Sequence, residues 1–354
     1  MTLTTTYPGI YVSENNEPAF SVSPSATAIP LFAFGTTNPP AGENIQLYNN
    51  WADFSATQEP QTDSLWYSCL SLWFKNGGGK CYLVAVASLV ECVSHYDDIT
   101  LVVAAGNDIF AEFNTVSSGG YNVFGLFDGP QDKIELSSSV TVDTVMNDFP
   151  ATPYAAAYYP WVATEPNGTA IPPSAVAAAA IAQTDRTRGV WKAPANMVVN
   201  GVIPLYPVND ELQGSFTTGK ALNMIRSFPN RGTTVWGART LEDSDLWRYI
   251  PVRRLFNSVE IDVKKALNIL VFEPNSQPTW QRVKAAVDNY LYNLWRQGAL
   301  AGNKSEEAYF VQVGKGITMS DDDINQGKMI VNVGLAAVRP AEFIILQFTQ
   351  NMAE

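Results

Sequence analysis

The chain has 354 residues, 46% hydrophobic and 12% aromatic, enough for two domains or one domain with extensions around a large core; global disorder is excluded. Its formal charge of -12 is unevenly spread: residues 1–180 hold 3 basic and 17 acidic side chains, a net of -14, and residues 181–354 hold 19 and 17, a net of +2. No Lys/Arg cluster stands free of interleaved acids, which argues against nucleic acid, and apolar stretches such as Ala175–Ala182 fall short of the roughly 20 residues of a membrane helix.

The first predicted element is a strand over Thr4–Val12, rich in β-branched and aromatic residues and broken by Pro8-Gly9. It lacks the basic and apolar regions of a signal peptide, so the chain is expected to be made in the cytoplasm with no export signal of its own. Residues 13–28, polar and carrying Pro18 and Pro24, read as an extended linker. Ala28–Gly35 is an apolar run closed by glycine and predicts a buried strand. Asn50–Phe54 looks like a helix start, and Ser64–Asn76 has helical spacing that Gly77-Gly78-Gly79 stops before a strand at Lys80–Val86. Further strands are predicted at Thr100–Ala104, Val123–Phe127, Ala155–Tyr159 and Val198–Ile203, with a helix from Pro172 to about Thr184. Strands alternating with helices predict an α/β body: a mixed sheet with flanking helices.

From Leu241 the texture changes to an α+β C-terminal region. Val252, Leu255, Phe256, Val259, Val263, Ala266, Leu267 and Leu270 recur at three and four, the mark of an amphipathic helix, with Arg253, Arg254, Lys264 and Lys265 largely off its apolar stripe. Glu273-Pro274-Asn275 ends it, and a second helix with Trp280, Val283, Val287, Tyr290, Leu291 and Leu294 on one face runs to Gly298, forming an αα-hairpin. A strand at Tyr309–Val313, a short helix capped by Ser320 with Asp323 reaching back, and a strand at Met329–Leu335 follow. The last predicted strand is Pro340–Gln350. An apolar strand at each end of a chain offers unpaired backbone groups to another molecule, so both ends are expected to act as extended β-strand arms that link copies.

Catalytic and ligand-binding patterns are thin. His95, the single histidine, sits beside Tyr96, Asp97 and Asp98 and is expected in a loop; no Gly-x-Ser-x-Gly elbow accompanies it. Gly77-Gly78-Gly79-Lys80 lacks the spacing and the Ser/Thr of a phosphate loop, and Asp321-Asp322-Asp323 lacks the alternation of a calcium loop. Cys69, Cys81 and Cys92 are separated by eleven and ten residues, form no C-x-x-C pair, and are expected to be buried thiols. No enzyme, cofactor or metal site is expected.

Several motifs in order along the chain resemble contractile tail sheath proteins. They are Tyr7–Glu14 with Ser25–Pro30, Arg188–Asn196, Val235–Thr240, Trp247–Leu255, Phe272–Asn275 and Arg339–Ile344. The compact length is similar to the antifeeding-prophage and virulence-cassette type of extracellular contractile injection system, related to phage tails and R-type bacteriocins. The resemblance implies stacked hexameric rings around an inner tube, a contraction that drives the tube through a target envelope, and baseplate and terminal cap proteins as further partners. It implies release in an extracellular phage tail-like particle, with no nucleic-acid partner and no membrane insertion by this chain. It also implies arms that enter the sheets of neighbouring subunits; here these map to Thr5, Thr6, Tyr7, Ile10, Tyr11 and Val12, and to Phe343, Ile344, Ile345, Leu346 and Phe348. A tube-attachment helix maps to Ser320–Gln326, with Asp321, Asp322, Asp323 and Asn325 as candidate tube contacts. The implied division is an N-terminal arm at 1–20, an α/β body at 21–240, a tube-facing region at 241–340 and a C-terminal arm at 341–354. The family's middle region is subtilisin-like in fold only; no matching triad occurs here, so no protease activity follows. A specialised baseplate-proximal paralogue and, from another class, a surface adhesion module are the alternatives.

Overall fold

The computed structural model describes residues 20–36, 39–59, 64–166, 168–343 and 345. The arm positions Thr5, Thr6, Tyr7, Ile10, Tyr11, Val12, Ile344, Leu346 and Phe348 lie outside them. The body begins with β1 (Pro30–Phe34), β2 (Ile45–Tyr48), α1 (Trp51–Thr57), α2 (Leu65–Lys75), β3 (Cys81–Ala85), α3 (Leu89–His95), β4 (Leu101–Val103), α4 (Phe110–Ser118) and β5 (Phe124–Asp128). It continues through α5 (Val142–Met146), β6 (Ala155–Tyr159), β7 (Val162–Ala163), α6 (Pro173–Arg188), β8 (Met197–Val198), β9 (Ile203–Pro204), α7 (Asp210–Ser215), β10 (Leu222–Phe228) and β11 (Gly232–Trp236). The C-terminal part comprises α8 (Ile250–Leu267), α9 (Gln277–Arg296), α10 (Ser305–Ala308), β12 (Tyr309–Gln312), α11 (Asp321–Asn325) and β13 (Asn332–Leu335).

Among the described residues, nine strands form one mixed sheet in the order β2-β3-β1-β4-β5-β6-β10-β11-β8. The six from β3 to β10 are parallel, and β2, β11 and β8 add antiparallel edges. Parallel strands covered on both faces read as unbroken apolar runs, which is why β1 and β6 are buried at every residue. Alternation sorts their side chains into two cores. Phe32, Leu83, Val103, Leu126 and Ala156 pack with α2 and α6. Leu31, Ala33, Tyr82, Val102, Phe127 and Ala155 pack with α3 and α4 on the other face. Helix α6 is buried continuously from Pro173 to Ile181; its alanines let it lie close between the sheet and α2. All three cysteines are buried free thiols.

A third core joins α8, α9, β12 and β13 through Leu255, Val259, Val283, Val287, Leu291 and Val311. The expected α/β body and α+β C-terminal region are therefore present. Four local expectations need correction. The predicted strand Val198–Ile203 is two short strands, β8 and β9, because Asn200-Gly201 turns the chain between them, Gly201 at φ +78°. Helix α6 runs past Thr184 to Arg188, where Gly189 at φ +96° stops it. His95 is the last residue of α3 rather than a loop residue. Arg253 and Arg254 are buried, not off the packed face. Arg253 lies over the Trp247 ring at 4.4 Å and donates from Nε to Asn257 Oδ1 at 2.7 Å. Arg254 makes a two-pronged ion pair with buried Asp185 of α6 at 2.9 and 2.6 Å.

Candidate inter-subunit interface

Doubly wound sheets bind ligands where the strand order reverses, outside the carboxyl ends of the strands. In this sheet that point lies between β1 and β4, and the protein fills it. Asn107 donates from Nδ2 to the carbonyls of Ala33 and Ala104, both at 3.1 Å, and a Cβ on Gly35 would stand 2.7 Å from Asn107 Oδ1. Next to it, Asp128 accepts from the backbone N–H groups of Ser174 at 2.7 Å and Gly106 at 2.8 Å, while Ser174 Oγ accepts from Ala105 N at 3.0 Å. Desolvation pushes the Asp128 carboxyl up to about 6 against the pull of these hydrogen bonds. Asp128 and Ser174 are thus committed to holding turns. His95 is exposed on α3, which covers the opposite face of the sheet from α6. Among the described residues no group of three potential metal ligands forms.

The built polar sites lie instead where the two terminal segments meet the body. On the N-terminal side, Ser25 N donates to Asp262 Oδ1 at 2.8 Å, and Tyr290 Oη donates to Asp262 Oδ2 at 2.6 Å. Burial beside Asp262 pushes the Tyr290 phenol well up, which keeps it the donor. Two residues on, Thr27 Oγ1 donates to Asp185 Oδ2 at 2.6 Å and Thr27 O accepts from Arg254 Nη2 at 2.8 Å. Phe20 and Val22 pack on the third core. Residues 20–27 are therefore fastened by two buried carboxylates, one on α8 and one on α6.

On the C-terminal side, Glu342 receives both prongs of Arg239: Nε at 3.1 and 3.0 Å from its two oxygens, and Nη2 at 2.7 Å. Arg239 also donates from Nη1 to Thr217 O, and its backbone forms a β-bridge with Tyr249, the residue that caps α8. Beyond this clasp, Phe343 and Ile345 are exposed at 71% and 82%. The sequence placed Glu342 within the arm, yet this side chain grips its own body. Four sequence motifs, those around Trp191, Trp236, Tyr249 and Arg339, converge here around a cleft of about 800 Å³.

Among the described residues, β12 and β13 pair only with each other. Side chains of β12 alternate, Tyr309 and Val311 inward, Phe310 and Gln312 outward. The Phe310 ring lies against Gly334, where a Cβ would come within 2.2 Å of it. This two-stranded sheet packs its apolar face on α9 and leaves its outer strand edges without a strand partner among the described residues. The candidate tube-contact residues all sit on α11. Ser320 and Asp323 form a reciprocal capping box, which holds the Asp323 carboxyl below its usual range. Asp321 pairs with Lys315 at 2.5 Å, while Asp322 and Asn325 face solvent.

Comparison with known proteins places this architecture. Residues 242–351 match the family model of the phage tail sheath C-terminal domain. No curated protein matches the chain. Among solved structures, a chain of the contracted PVC sheath complex, an extracellular contractile injection system, is 52% identical over 99% of both chains with a TM-score of 0.91. A chain of the contracted anti-feeding prophage baseplate is 60% identical over 98% of this chain and 100% of that one, with a TM-score of 0.90. A chain of the contracted anti-feeding prophage helical sheath is 44% identical, covers 98% of this chain and 100% of that one, and has a TM-score of 0.81. The chain belongs to the contractile tail sheath family, as a structural subunit of the kind found in extracellular contractile injection systems.

Proposed function

We infer that this protein is the repeating subunit of a sheath that stacks as hexameric rings around an inner tube and contracts to drive that tube through a target cell envelope. The observation that carries the reading is the end-to-end likeness to a chain of a contracted sheath complex, 52% identical over 99% of both chains. Arms at 1–20 and 341–354 link neighbours, a body spans 21–240, and the region 241–340 faces the tube, with α11 as its contact. The open β12–β13 sheet is the receiving site for a neighbour's arms; each backbone hydrogen bond added there is worth about 1 kcal/mol net. The chain needs no cofactor and catalyses nothing. It works in an extracellular particle together with baseplate and cap proteins.

Negative-stain microscopy of the purified protein tests this: wide tubes or rings are expected. Removing residues 344–354, which leaves the Glu342 clasp intact, is expected to give a folded monomer. Tubes at normal yield from that truncation would refute the role of the C-terminal arm. A second reading is a specialised paralogue beside the baseplate. It is favoured by the 60% identity to a chain of the anti-feeding prophage baseplate, against 44% to a chain of that system's helical sheath. Immunogold labelling of whole particles separates the two, along the full sheath or at one end.

A further inference from the structure

The turn of the αα-hairpin carries an apolar knuckle that its own molecule leaves uncovered. After α8 a tight turn at Asn268–Leu270 sends Leu270 into the third core, while Ile269, Val271 and Phe272 point outward, Phe272 with its whole surface exposed. Phe272 also adopts φ +75°, a left-handed backbone that bulky residues almost never take without a reason. The conformation is braced. Glu273 N donates to Leu270 O at 3.1 Å, and Asn275 is held on two sides, accepting from Trp280 Nε1 at 2.7 Å and donating to Lys328 O at 2.8 Å. The braced turn thus presents a large aromatic ring to solvent, with one acid, Glu273, beside it.

The complementary surface lies at the other end of the same hairpin. The 800 Å³ cleft is bordered by Tyr249, at the start of α8, and by Gly298, just past α9. Trp191 and Trp236 supply apolar wall, and the volume accepts an aromatic plug with its flanks. The cleft is also basic: among the described residues its Arg188, Lys192 and Arg339 make no ion pair. Helix α8 has 18 residues, so knuckle and cleft stand roughly 27 Å apart at 1.5 Å per residue. A plug and a socket at opposite ends of one rigid unit cannot meet within a molecule. Between copies they give a head-to-tail contact, which closes into a ring or winds into a helix.

We propose that the Ile269–Glu273 knuckle docks into the cleft between Trp191 and Trp236 of a second copy of this chain, Phe272 as the anchor and Glu273 facing the cleft's free cations. This rests on the self-assembly proposed above. The contact differs from arm exchange because it is made by side chains of the folded region.

The test uses the full chain with single cysteines at Val271→Cys, beside the anchor, and at Gly214→Cys, on the cleft rim where a Cβ meets nothing within 4 Å. The three native thiols are buried and do not compete for a short bismaleimide linker. Polymers of the two variants mixed are expected to yield a cross-linked dimer, and polymers of either alone none. Phe272→Ala is expected to raise the concentration needed for polymerisation roughly tenfold, as for loss of one buried aromatic anchor. Its unfolding curve should stay unchanged, because the ring touches nothing in the monomer. Polymers that form without the mixed cross-link would overturn the docking and leave the sheath reading standing. So would Val271→Cys cross-linking to itself, or, in whole particles, to the inner tube protein instead. Failure of the unmodified chain to polymerise at all would count against the sheath reading itself, and the docking would fall with it.

Discussion

Arg239 and Glu342, 103 residues apart, clasp each other through three hydrogen bonds at the point where the C-terminal segment leaves the body. The arginine side chain is 12% exposed and the glutamate 27%, so water screens the pair only partly. A two-pronged Arg–carboxylate pair of this kind is expected to contribute about 1 kcal/mol. Glu342→Gln should lower stability by no more than that in urea titrations. Its larger effect should appear as reduced polymer yield, since the direction of the arm is then unfixed.

The Arg254–Asp185 pair is different in kind, because both side chains are almost wholly buried. Removing one partner strands a charge in the core, and Arg254→Met is expected to cost about 3–5 kcal/mol. The double variant Arg254→Met with Asp185→Leu should recover most of that loss. Urea midpoints of the two single variants and the double variant measure it.

Asp128 predicts a slope of stability with pH. Its folded carboxyl titrates at about 6 against a reference of 3.8, so in that window the folded chain holds a proton that the unfolded chain has released. This contribution is fully present below 3.8 and is lost as pH rises through about 6. Asp128→Asn is expected to flatten the window in a comparison of urea midpoints from pH 4 to 7. It should also cost about 1–3 kcal/mol throughout, because one of the two N–H donors of Gly106 and Ser174 would face an amide NH₂.

Gly78 carries a steric prediction. A Cβ there would fall 2.2 Å from the ring of Trp73, which is fully buried and donates to Gly79 O at 2.9 Å. Gly78→Ala is expected to destabilise by about 1–3 kcal/mol through overpacking, read as a lower thermal midpoint.

Much of this arrangement was legible in the amino-acid order, for local reasons. The buried run at Pro30–Phe34, the capping box at Ser320 and Asp323, and the glycines at 77 and 298 act on their own neighbours, and the chain behaves as they direct. The break at Asn200-Gly201 was legible too, but the apolar residues on either side mask it. The burial of Arg253 and Arg254 was not. Their charge is tolerated only because Asp185 and the Trp247 ring reach them from elsewhere in the fold, contacts that no periodicity encodes. At the candidate interface, the motif residues Arg239 and Glu342 stood in the sequence with no sign that they were partners. The unpaired edges of β12 and β13 follow from tertiary pairing alone.

Helix α8 takes up both ends of the described chain. Asp262, on its second half, secures residue 25, and Tyr249 at its head is bridged to Arg239, which secures residue 342. A pull delivered at either extremity therefore reaches one strut, itself bolted to the body through Arg254 and Asp185. Part of that load also enters the large sheet, because Asn223 of β10 holds the Arg239 backbone from both sides, accepting from its N–H at 2.8 Å and donating to its carbonyl at 2.8 Å.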